Sequence, residues 1–78
     1  MFEMHETPES SNIRSIGWSP MGNVLRVQFK AKKEGTADSI YDYEDFPREK
    51  FDEFLRAPSK GIWFQSNVRG KYQTRKIQ

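Results

Sequence analysis

The segment Ile13-Arg14-Ser15-Ile16-Gly17-Trp18-Ser19-Pro20-Met21-Gly22-Asn23-Val24-Leu25-Arg26-Val27-Gln28-Phe29 carries one clear strand, one irregular strand and a turn between them. Leu25, Val27 and Phe29 alternate with Arg26 and Gln28, the period of a strand with one apolar face. Ahead of it, Ser19 to Asn23 has turn chemistry: Pro20 presets φ, and Gly22 or Asn23 accepts positive φ. Before the turn, Arg14, Ile16 and Trp18 share one strand face, and Ile13, Ser15 and Gly17 the other. Neither face is cleanly apolar, which predicts a twist or bulge near Gly17. The two strands form a hairpin.

Outward from this hairpin, Lys30 to Asp38 is polar, contains Gly35 and reads as a loop. Ser39 to Glu44 reads as a third strand, with Tyr41 and Tyr43 on one face and Ile40, Asp42 and Glu44 on the other. Phe46-Pro47 ends it, and Pro47 suits the first helical position. Phe51, Phe54 and Leu55 fall at i, i+3 and i+4, the stripe of a short helix. Ala57-Pro58 stops that helix. Ser59 is placed to cap a second one, whose Trp63, Phe64, Asn67 and Val68 share a face and whose end is marked by Gly70. Met1 to Ser10 is polar, acidic and without period, and reads as a disordered leader ahead of a single domain over residues 11–78. The expected fold is α+β: a three-stranded antiparallel meander followed by a helical hairpin (β-β-β-α-α). The helices cover the face that carries Leu25, Val27 and Phe29, and Lys71 to Gln78 is a candidate short C-terminal strand.

Composition narrows the chemistry. The 78 residues hold no cysteine, which removes disulfides, thiol catalysis and thiolate metal sites and suits a reducing, cytoplasmic setting. The N-terminal stretch has no apolar run and is not a signal peptide. Ile62-Trp63-Phe64 is far short of the ~20 residues that span a bilayer, so no membrane partner is expected. The one histidine, His5, lies in the polar leader, away from any serine nucleophile. Asp42, Glu44 and Asp45 could hold a cation or do acid–base work. Acids on a solvent-facing strand are better read as protection against edge pairing, so no catalytic residue, no metal ligand and no cofactor is expected.

The net charge of +2 is a sum of unlike halves. Residues 1–45 carry eight acids and five bases, a net of −3, and residues 46–78 three acids and eight bases, a net of +5. From Ser59 to Gln78 no residue is acidic. Lys60, Arg69, Lys71, Arg75 and Lys76, interleaved with Tyr72, form a pattern suited to nucleic acid: Arg and Lys for phosphates, aromatic rings for bases. Arg69 could alternatively pair with Asp42, Glu44 or Asp45. Tyr41 and Tyr43 are candidate base-stacking groups if their face is open.

The runs Ser10 to Trp18, Leu25 to Phe29, Tyr41-Asp42-Tyr43, Ala57 to Phe64 and Asn67 to Tyr72 resemble the KTSC domain, named for the C-terminal segment of some lysyl-tRNA synthetases and found also as stand-alone small proteins of bacteria and phages. The resemblance spans about residues 10 to 76. It implies a binding domain of unassigned function, with RNA as the expected partner, and brings no catalytic residues. This sequence departs from the usual pattern with Trp18 in place of Tyr and a longer charged loop at Lys30 to Asp38. The expected function is therefore non-enzymatic binding of RNA or another nucleic acid through the basic C-terminal third. The competing reading is a protein-interaction module, a small phage or prophage regulator docking on a host protein, in which two of Trp18, Trp63 and Phe64 would form an exposed patch. A monomer or weak homodimer is expected.

Overall fold

The computed structural model describes residues 2–78. Five strands form one antiparallel sheet in sequence order: β1 (Glu3–Glu6), β2 (Ile13–Ser19), β3 (Val24–Phe29), β4 (Ser39–Tyr43) and β5 (Thr74–Lys76). Helices α1 (Arg48–Arg56) and α2 (Lys60–Asn67) fall between β4 and β5. The α+β class and the helical hairpin agree with the expectation, but the sheet has five strands where the sequence suggested three. The C-terminal candidate forms β5, and the supposed disordered leader forms β1.

The leader is ordered for a reason that apolar periodicity does not register. Its strand pairs by backbone bonds along β2, with Glu3 opposite Trp18 and Glu6 opposite Ser15. Polar side chains then carry the connection. Thr7 Oγ1 donates to the Ile13 carbonyl at 2.7 Å, and Ser10 Oγ accepts from the Ile13 N–H at 3.0 Å. Both Thr7 and Ser10 are buried. β1 passes close over Gly17: a Cβ there would stand 3.1 Å from the Glu3 carbonyl oxygen and would meet the Met4 sulfur.

The irregularity in β2 lies at Arg14, not near Gly17. Ile13 stands opposite Phe29 and Ser15 opposite Gln28, so Arg14 is the extra residue of a bulge. The insertion shifts the alternation by one. Ile13, Ile16 and Trp18 therefore oppose Phe29, Val27 and Leu25 on a single face. Across β4 that face continues with Tyr41 and Tyr43. The turn between β2 and β3 has positive φ at Gly22 (81°) and Asn23 (53°), as its composition predicts.

Both helices pack on this face. In α1 the stripe buries Phe51 and Phe54, and Pro47 stands just outside the first turn as the N-cap residue. In α2, Ser59 Oγ accepts from the Ile62 N–H, Phe64 and Val68 are buried, and Gly70 follows with φ of 74°. Phe64 meets Phe29 edge-on at 5.3 Å and Tyr43 at 5.6 Å, while Trp63 stacks on Phe54 at 4.7 Å. Phe46, which the sequence suggested only as a strand terminator, is fully buried. Its N–H donates to the Asn23 carbonyl at 2.7 Å, its carbonyl accepts from Trp18 Nε1 at 2.8 Å, and its ring lies 4.9 Å from that of Tyr72. No helix among the described residues is long and apolar enough to cross a membrane.

Phe46→Ala should lower the unfolding free energy by about 3–5 kcal/mol, read from urea denaturation. Ile62→Ala, at a site 70% exposed, should change it by no more than about 0.5 kcal/mol. A loss under about 1 kcal/mol for Phe46→Ala would remove that ring from the centre of the core.

Candidate nucleic-acid interface

The basic and aromatic candidates separate into those the fold exposes and those it uses. Lys60 is used. It opens α2, is only 8% exposed, and its ammonium donates to the Ala57 carbonyl at 2.8 Å and meets Glu9 at 3.3 Å. Ala57 caps α1, so Lys60 satisfies the carbonyl end of one helix from the start of the next. Glu9, held by its own backbone N–H and then by Lys60, has its carboxyl below the usual range. Lys60 is thus removed from the set that can reach a phosphate.

Tyr43 is also interior. The two tyrosines share a face as their spacing requires, but it is the face the helices cover. Tyr43 is 5% exposed, and burial, with a smaller contribution from Tyr41, pushes its phenol up to about 12. It offers no platform for a base. Tyr41 is half-buried, edge-on to Phe29 at 5.9 Å, with the Lys76 ammonium 5.9 Å from its ring centre. Tyr72 is half-buried against Phe46. Trp18, Trp63 and Phe64 all pack on the core and form no exposed aromatic patch.

The uncovered face of the sheet carries charge that is already paired. Arg26 (β3) holds Asp42 (β4) through two bonds of 2.7 and 2.9 Å, the two-pronged geometry that strengthens such pairs. Its guanidinium lies 4.1 Å from the centre of the Phe2 ring. Arg14 pairs with Asp38, and Asp38 also accepts from the Ala31 N–H at 2.9 Å. The Arg14 guanidinium first, and that N–H second, hold the Asp38 carboxyl below its ordinary value. Arg75 reaches Glu44 at 3.6 Å. The acids at 42 and 44 therefore engage Arg26 and Arg75, and not Arg69. A cleft of about 220 Å³ beside them is lined by Gly22, Val24, Asp42, Glu44, Asp45 and Arg75. Among the described residues no three His, Asp or Glu side chains converge to hold a metal.

What remains is a strip of cations along the β5 side of the molecule. Arg69, Lys71 and Lys76 are exposed and have no acidic partner among the described residues. The Arg69 guanidinium donates to Gln65 Oε1 at 3.0 Å. Arg75, 71% exposed at its side chain, keeps one long contact to Glu44. The chain after β5 runs back to the start of β4, where the Gln78 N–H donates to the Ile40 carbonyl and Gln78 Nε2 to that of Asp38. Lys32 and Lys33, exposed on the loop that enters β4, belong to the same end of the sheet. Confining the basic signal to the C-terminal third missed them, although Lys30-Ala31-Lys32-Lys33 is plain in the sequence.

Comparison with known proteins bears on the family. The sequence profile of the KTSC domain matches residues 9–72. The crystal structure of a KTSC domain protein from Yersinia pestis is similar over 100% of both chains, with 31% sequence identity and a TM-score of 0.85. Comparison with curated proteins gives no match.

The raised Tyr43 phenol has a measurable sign. From pH 10, the ordinary value, to about 12, the unfolded chain releases this proton and the folded chain keeps it. The unfolding free energy falls over that window and is unaffected by this group below it. Tyr43→Phe should make the decline in urea midpoint between pH 10 and 12 shallower. An unchanged slope would place the phenol in water.

Proposed function

The chain belongs to the KTSC domain family, and from that premise we propose that it is a small non-enzymatic domain that binds RNA along its basic C-terminal side. The observation that carries the reading is the contrast between two sets of cations. Those on the uncovered face are paired with acids at short range. Arg69, Lys71 and Lys76 are exposed without such partners, and the half-buried Tyr41 and Tyr72 lie among them.

In this reading Arg69, Lys71, Lys76 and Arg75 meet phosphates and release condensed counterions. The Glu44 contact of Arg75 is long and solvent-exposed, so it yields to a phosphate at little cost. Tyr72, only half-buried, adds sequence-tolerant stacking through the part of its ring that Phe46 leaves open. A single strand suits the arrangement better than a duplex, because only unpaired bases can leave their stack to lie on an aromatic side chain such as Tyr72. A cytoplasmic site of action belongs to the same proposal and rests on the cysteine-free composition.

Fluorescence anisotropy with labelled single-stranded RNA tests it. Binding at low salt should weaken with a log–log salt slope of about −3, the value for some four phosphate contacts on a single strand. Arg69→Glu with Lys71→Glu and Lys76→Glu should abolish binding, while Lys60→Met should leave it unchanged despite removing a positive charge from the same third of the chain. No binding up to about 100 µM protein, or equal loss from Lys60→Met and the triple variant, would overturn the reading.

A further inference from the structure

The sheet ends in two edge strands of opposite charge, each paired on one side only. β1 carries Glu3 and Glu6, both exposed, and β5 carries Arg75 and Lys76, also exposed. Among the described residues, two of the four exposed large apolar side chains stand at these same edges: Met4 in β1 and Ile77 immediately after β5. We propose that β5 of one copy pairs with β1 of a second copy, so that the sheet continues from molecule to molecule.

Topology dictates the direction. Four successive antiparallel steps separate β1 from β5, so the two run the same way. A second copy placed beside β5 with its helices on the same side therefore presents a parallel β1. Pairing along β4 and β5 engages alternate residues: the Gln73 carbonyl accepts from the Glu44 N–H just past β4, and the Ile77 N–H donates to the Ile40 carbonyl. By the same alternation Thr74 and Lys76 turn their backbone groups to the free edge. In β1, the bond from the Thr7 N–H to the Arg14 carbonyl fixes the complementary set, leaving the backbone groups of Met4 and Glu6 facing outward.

Two facts then limit the register. Lys76 lies in a row with Tyr41 on the helix side of the sheet, and Glu3 and His5 lie on that side through Trp18 and Ile16. Lys76 can therefore stand opposite Glu3 or opposite His5 of the next copy. The first choice sets ammonium against carboxylate on the helix side and Ile77 against Met4 on the uncovered side. The second sets Lys76 against His5 and Ile77 against Glu6. Charge and apolar complementarity both select the first. They also disfavour the symmetric alternatives, because β1 with β1 opposes acids to acids and β5 with β5 opposes bases to bases. The selected contact is head-to-tail and does not close on itself, so it produces a graded series of species and not a discrete dimer. Short edge strands keep each contact weak.

Sedimentation velocity on the full chain, over a range of protein concentration at low salt, tests this. The account expects weight-average mass to rise with concentration and to fall back toward the monomer at high salt. Glu3→Lys alone or Lys76→Glu alone should weaken association about tenfold. An equimolar mixture of the two variants should recover association, since the contact between one variant's β1 and the other's β5 again sets opposite charges face to face, with their signs exchanged. Glu3 lies outside the proposed RNA surface, so Glu3→Lys should weaken association and keep its affinity for RNA, which separates this proposal from the preceding one. A monomer at all concentrations, a discrete dimer, or variants that associate as the parent does would overturn it.

Discussion

One inserted residue in β2 decides what each side of this protein is for. With Arg14 bulged out, Ile13 and Ile16 lie on the same face although they are three residues apart, and Trp18 completes the row opposite Leu25. Without the bulge, Ile13 would point away from the helices and a charged guanidinium would take its place in a fully buried position. The resulting face holds the apolar side chains of β2, β3 and β4 against Phe51, Phe54, Phe64 and Val68. Burial of that surface is the main stabilising term available to so short a chain.

The same division sets the electrostatics. Because the helix side takes the apolar residues, Arg26, Asp42, Glu44 and Arg75 share the uncovered face, where adjacent strands bring opposite charges together. That face is neutralised locally. Phe46 fixes the other boundary, since its backbone joins the β2–β3 turn to Trp18 and its ring receives Tyr72. The segment from Arg69 to Lys76 is thus anchored at Tyr72 and along β4, while its cations project into solvent. An anchored, acid-free segment gives an anionic chain fixed charges to meet, with less ordering cost than a loose tail would impose.

Much of this was legible in the residues. The alternation of Leu25, Val27 and Phe29, the i, i+3, i+4 stripe of Phe51, Phe54 and Leu55, the Ser59 cap and the Gly70 stop each reflect a local rule, and each holds in the fold. The shared face of Tyr41 and Tyr43 was legible too, but not which face it was, since that depends on where the helices pack. β1 was not legible because it is held by backbone bonds and by Thr7 and Ser10, none of which leaves an apolar period. Lys60 shows the sharpest limit. Its charge reads as a phosphate ligand, yet a carbonyl at the end of α1, three residues earlier, takes the ammonium inside.

The central claim is that the chain meets a polyanion through the side holding Arg69 to Lys76 and not through the paired charges of Arg14, Arg26 and Asp42. The most direct measurement is a backbone amide NMR titration of the isotopically labelled protein with single-stranded RNA. The account predicts shifts concentrated at Arg69, Lys71, Tyr72 and Thr74 to Lys76, with small changes at Arg14, Arg26 and Asp42. Shifts centred on those last three residues would contradict it.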